Sequence, residues 1–223
     1  MHRNLEKIKL IKRIREPFNG FSHLGGAITA LLGGIILLIV GWSGTSRIIS
    51  MMVYLTSLVS MFTASAVYHL ANVKPRIQVI LRKLDHAAIF LLIAGTYTPI
   101  CINAFTGFWK WGFLSIIWGI ALLGIIIKVR FINAPRWLGT TLYVMMGWAS
   151  VISFHQLGNL PMSSLVWLIV GGVIYTLGAL IYATKIFNFV PGKFGFHEIW
   201  HLFVLGGAMA HFISITVLVT SLD

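Results

Sequence analysis

A single cysteine, Cys101, has no partner for an internal disulfide, and one thiolate cannot make a cysteine-rich zinc site. Acids are nearly as scarce: five Asp and Glu stand against seventeen Lys and Arg. Charged residues make up only 10% of the 223-residue chain, whereas a soluble domain carries about a quarter. That shortage excludes an ordinary water-soluble fold. No low-complexity linker or internal repeat separates the chain into further units.

What is abundant is hydrocarbon, at 58% of residues. Long apolar runs recur at roughly 21–41, 48–70, 85–105, 111–129, 137–154, 164–183 and 197–220. Each approaches the ~20 residues that cross a bilayer core. The sequence therefore predicts an all-α, polytopic membrane protein, a seven-transmembrane-helix bundle. Residues 1–20 form a basic N-terminal segment and 21–223 the helical domain.

The net charge of +12 could point to nucleic acid, but its distribution points to a membrane. Fifteen of the seventeen basic residues fall in the N-terminal tail and in every second loop; only Arg47 and Lys110 fall on the other side. This positive-inside asymmetry predicts a cytoplasmic N-terminus and a C-terminus outside. It also checks the helix count, because an error of one would mix the two sets. Residues 4–15 place Leu5, Ile8, Ile11 and Ile14 among lysines and arginines, a pattern that suits the anionic inner leaflet. The first apolar segment is of span length and lacks a small-residue cleavage site, so it reads as retained. Two rows of small residues in the first span, Gly25–Thr29–Gly33 and Gly26–Ala30–Gly34, read as helix-packing faces.

The remaining polar residues fall at one depth. Four stretches reach the expected inner side: "EPFNGFSH" with Glu16, Asn19, Ser22 and His23; "SAVYH" with Ser65 and His69; "KLDH" with Asp85 and His86; and "HEIWH" with His197, Glu198 and His201. Three of the five acids belong to this layer. His197 and His201 stand four residues apart, about 40° around a helix, so both imidazoles can address one ion. Taken alone, Asp85 could be an acid at a helix start favoured by the dipole, and His69 a helix-end histidine. Taken together, imidazoles from different helices with a carboxylate or water suit Zn²⁺. His211, ten residues beyond His201, is about 15 Å deeper and cannot share that ion; it reads as a buried, hydrogen-bonded histidine. H-E-x-x-H is also the motif of zinc proteases, with the Glu as base. That reading needs a third ligand from upstream, because downstream only His211 and Asp223 remain.

The set "EPFNGFSH", "SAVYH", "KLDHAAIFLLIAGTYTP" and "FHEIWHLFVLGG" resembles the hemolysin III proteins, the bacterial branch of the progestin and adipoQ receptor family, over nearly the whole chain. The resemblance implies a zinc ion near the cytoplasmic face of a bacterial plasma membrane. It implies His69, His197 and His201 as ligands, Asp85 on the zinc-bound water and Ser65 beside it. Glu16, Asn19, His23, His86 and Glu198 would then support the ligands from behind. The family is similar to alkaline ceramidases in this residue set, which implies hydrolysis or sensing of membrane lipids at an amide or ester bond. A cytolysin or channel is the alternative, although a monomeric pore needs polar stripes along whole helices. A metalloprotease is a weaker one. A retinal photoreceptor is excluded, because no lysine follows Lys193.

Overall fold

The computed structural model describes residues 14–190 and 194–222. The amphipathic stretch expected at 4–15 therefore lies, except for its last two residues, outside the described residues. Seven helices among them are long and apolar enough to cross a membrane: α1 Pro17–Val40, α2 Thr45–Leu70, α3 Pro75–Ala104, α4 Gly107–Arg130, α5 Arg136–Leu157, α6 Met162–Thr184 and α7 Phe196–Thr220. Short connections make successive spans antiparallel. The starts of the odd helices and the ends of the even ones thus share one end of the bundle, here called the basic end. It carries Arg15, Lys74, Arg76, Arg82, Lys83, Arg130, Arg136 and Lys185.

The bundle is inside-out relative to a soluble protein. Leu31, Leu32, Ile35, Ile36 and Ile39 of α1 and Ile116, Ile120, Leu123 and Ile126 of α4 are exposed. Large apolar side chains facing outward on this scale require a hydrocarbon surrounding. The interior is built around α3, which touches α2, α4, α5 and α7. Close approach there depends on absent side chains. A methyl on Gly95 would collide with Ser57 Oγ of α2, and one on Gly124 would collide with the Phe90 ring.

Three features differ from the sequence expectation. First, α3 begins at Pro75 rather than near 85. Pro75 fits the first helical position, where its fixed φ helps and its missing N–H is no loss. Gln78 then ties the overhang to α2 by donating to the Tyr68 carbonyl at 3.0 Å. Arg76, Arg82 and Lys83 depress hydropathy over this stretch without disfavouring a helix. Asp85 is therefore ten residues into α3, about 15 Å from its start. The helix-dipole explanation, which holds only in the first turn, does not apply to it.

Second, α5 is composite: α-helical over Arg136–Gly147, 3-10 over Trp148–Ser153, and α-helical again over Phe154–Leu157. Irregular backbone at membrane depth needs its polar groups met by protein, and Tyr97 of α3 does this. Its hydroxyl reaches the Met146 and Gly147 carbonyls at 3.1 and 2.7 Å and accepts from Ser150 N–H at 2.8 Å. Third, only one of the two small-residue rows lies in a helix interface along its length. Gly26 faces Phe62 and Leu205 and Gly34 faces Leu55, whereas Gly25 has open space beside it and Thr29 is exposed.

Candidate metal centre

At the basic end, α2 and α7 bring three imidazoles together. His69 is the penultimate residue of α2, His197 the second of α7, and His201 one turn further in. One nitrogen from each lies within 4.8 Å of the others. The ring centroids are 4.6 Å apart for His69 and His201, 5.2 Å for His69 and His197, and 5.1 Å for His197 and His201. His69 and His201 are almost fully buried. This is the only group of three His, Cys, Asp or Glu side chains with metal-binding spacing among the described residues.

The entry to α1 holds the set from behind. Glu16 Oε2 meets His69 Nδ1 at 2.5 Å, and Glu16 N–H donates to the His69 carbonyl at 3.0 Å. A carboxylate accepts only, so His69 Nδ1 carries the proton and Nε2 is left as the ligating atom. Burial pushes the Glu16 carboxyl up from its ordinary value. The bond from His69, with the charges of His69, Arg15 and His197, outweighs that and holds it at about 2. Arg15 Nη2 lies 3.0 Å from the other Glu16 oxygen. Asn19, 1% exposed, donates its amide to Glu16 Oε2 at 3.4 Å and to Glu198 Oε1 at 3.2 Å. One short stretch of α1 thereby links α2 to α7.

Glu198 is held at the start of its own helix. Its Oε2 accepts the Gly195 N–H at 2.8 Å, the reach-back contact of a helix cap. With its other oxygen on Asn19, it is a structural tie and not a free base. His23, 3% exposed, lies closest to His201 among the rings, with centroids 4.0 Å apart. Asp85 on α3 is within electrostatic range of His69, and the Ser65 side chain is a polar neighbour of its carboxylate. His86 Nε2 lies 3.9 Å from Asp85 Oδ2. All ten candidate residues thus belong to one end of the bundle. His211 does not: it sits deeper and bonds through Nε2 to the Leu168 carbonyl at 3.2 Å, beside the space left by Gly171.

Sequence reasoning missed Tyr182. Its ring lies 5.7 Å from that of His197, and Arg136 stacks over it at 5.4 Å. Nothing in the sequence separates this tyrosine from an ordinary interfacial aromatic.

Inward of the histidines is a cavity of ≈ 270 Å³. Met61, Ile89, Trp200 and Val204, all among its lining residues, stand within one turn of Ser65, Asp85 and His201. Many of its polar lining groups are already engaged: Thr96 by Leu92 O, Tyr97 by α5, Tyr143 by His86 O, Thr176 by Gly172 O and His211 by Leu168 O. Such a cavity offers a guest hydrocarbon contact and few free hydrogen bonds.

Residues 11–212 match the family described as Haemolysin-III related. The chain is 36% identical to Hemolysin-3 of Bacillus cereus over 200 residues, 88% of each chain. It is 32% identical to the Hemolysin-3 homolog of Bacillus subtilis (strain 168), covering 88% of this chain and 91% of that one. A more distant relative is the adiponectin receptor protein of Drosophila melanogaster, 31% identical over 58% of this chain and 33% of the receptor. With its seven spans, the chain belongs to the haemolysin-III related family of multi-pass cell-membrane proteins.

Proposed function

We propose that this protein is a zinc-dependent membrane-lipid hydrolase, with His69, His197 and His201 as ligands. The observation that carries the reading is the three-imidazole group, with Asp85, Ser65 and His201 each within one helical turn of residues that line an apolar cavity. The residues fit zinc. Neutral imidazoles are its common ligands, and the His69–Glu16 pair supplies the carboxylate–histidine support that such ligands receive. Zinc held there would supply Lewis acidity and lower the pKa of a water to about 7.

This chain's own residues then divide the work. Asp85 takes, at a carboxylate oxygen, the proton of the water that adds to an acyl carbonyl. The Ser65 hydroxyl donates to the carbonyl oxygen as it becomes negative. Asp85 then returns the proton to the departing amine or alkoxide. The cavity binds the acyl chain, excludes bulk water and sets the scissile bond at the depth of the histidines. Glu198 is spent on the cap of α7 and on Asn19, so the protease reading loses its base.

Purified protein reconstituted with a panel of ceramide-type amides and glycerolipid esters should release fatty acid from at least one class. Release should stop on chelation and return with zinc. Zinc-loaded, folded protein that turns over no lipid in the panel would remove catalysis and leave a sensing role. The relatives' names bring in lysis as the second reading. Vesicle leakage that persists after chelation and without fatty-acid release would favour it.

A further inference from the structure

Lys128 is the only lysine or arginine that is buried among the described residues, at 7% exposure. It lies in the last turn of α4, yet its ammonium reaches across to α5. Nζ is 2.8 Å from the position a Cβ on Gly139 would take, so the missing side chain is what admits it. No carboxylate pairs with it, and no hydroxyl or carbonyl accepts from it, among the described residues. The stem is covered while the ammonium, with no anion or acceptor of its own, stays free to receive one.

Its surroundings add positive potential. Arg82 of α3, within electrostatic range, supplies it, and His86 stands near as a ring-nitrogen donor. His86 Nδ1 is itself buried without a partner. Gly139 belongs to the first turns of α5, a twelve-residue α-helical stretch whose N-cap is Pro135 and which receives no side-chain cap. The N–H groups of Arg136 and Trp137 and the dipole therefore remain available to an anion, while Leu138 N–H bonds the Pro135 carbonyl. These groups of α3, α4 and α5 stand near the basic end of the bundle, and basic sites between membrane helices bind phosphate headgroups.

We propose that Lys128, with His86 and Arg82 behind it and the uncapped start of α5 beside it, binds a phosphate group, carried by an anionic lipid headgroup or as free phosphate. Lys128 supplies the ion pair. The α5 N–H groups supply directional donors to the remaining oxygens. The site uses none of the three clustered histidines and shares only His86, the neighbour of Asp85, with the lipid-hydrolase reading; its readout is binding and not turnover.

The test uses the full chain in neutral detergent. Native mass spectrometry would count bound phosphatidylglycerol against phosphatidylcholine, with thermal shift in millimolar inorganic phosphate as the second arm. The wild type should prefer phosphatidylglycerol, and Lys128→Met should lower that preference roughly fivefold, the effect of one close basic residue. If phosphate stabilises the wild type but not Lys128→Met, while phosphatidylglycerol shows no preference, the ligand is soluble phosphate. Gly139→Ala, which keeps the charge but drives a methyl into the ammonium's place, should weaken binding as well; it decides the matter should Lys128→Met fail to fold. A folded variant of either kind that matches the wild type in both arms overturns the proposal.

Discussion

Replacing His201 by Ala is expected to strip the protein of its zinc. Purified wild type should carry close to one zinc per chain, and His201→Ala should carry almost none after dialysis against a weak chelator. The size of the effect follows from coordination. Three protein ligands are the usual minimum for a retained catalytic zinc. His201 is also the innermost of the three imidazoles and 2% exposed, so water cannot readily replace it. His211→Ala is the control. That residue is equally histidine and equally on α7, but its ring is bound to Leu168 O and remote from the cluster. It should keep the metal. Elemental analysis of the three proteins decides between a built site and a chance gathering of imidazoles.

The second large effect is expected at Asp85. Asp85→Asn should retain zinc and fold but lose lipid turnover by ~10²–10⁴-fold, the range for removing a general acid–base. The change keeps the shape of the side chain and its proximity to Ser65, so melting temperature and zinc content should stay near wild type. A combined loss of zinc and activity would instead make Asp85 a ligand. Unchanged turnover would remove it from the chemistry. Ser65→Ala should show a smaller loss, because it deletes one donor to the developing oxyanion and no proton acceptor.

Much of the architecture was legible in the sequence because a bilayer enforces simple rules. Apolar length gave seven spans, and the polar residues of EPFNGFSH, SAVYH, KLDH and HEIWH lie at one end, as their places in alternating spans required. Spacing alone paired His197 with His201. What escaped were features set by the partner of a residue and not by its own neighbours in sequence. The start of α3 was hidden because Arg76, Arg82 and Lys83 look like a loop to hydropathy, while the backbone sees good helix formers after Pro75. The 3-10 stretch of α5 is maintained by Tyr97, 50 residues away. Gly25 and Gly26 are adjacent and chemically identical, yet only Gly26 meets a neighbouring helix.

The site shows the same division. The sequence placed Glu16, Asn19 and Glu198 near the histidines. It could not say that Glu16 meets His69 Nδ1, or that Glu198 caps its own helix while Asn19 bridges the two acids. Lys128 counted there only as one more positive charge on the basic side. Its burial against Gly139 depends on how α4 and α5 pack.

X-ray absorption at the zinc edge of the purified, full-length protein probes the coordination directly. Convergence of α2 and α7 on one ion should appear as three imidazole nitrogens at about 2.0–2.1 Å with one light-atom ligand completing a tetrahedron. A metal-free protein that is nonetheless folded and active, or a zinc surrounded only by water and carboxylate oxygens, would contradict it.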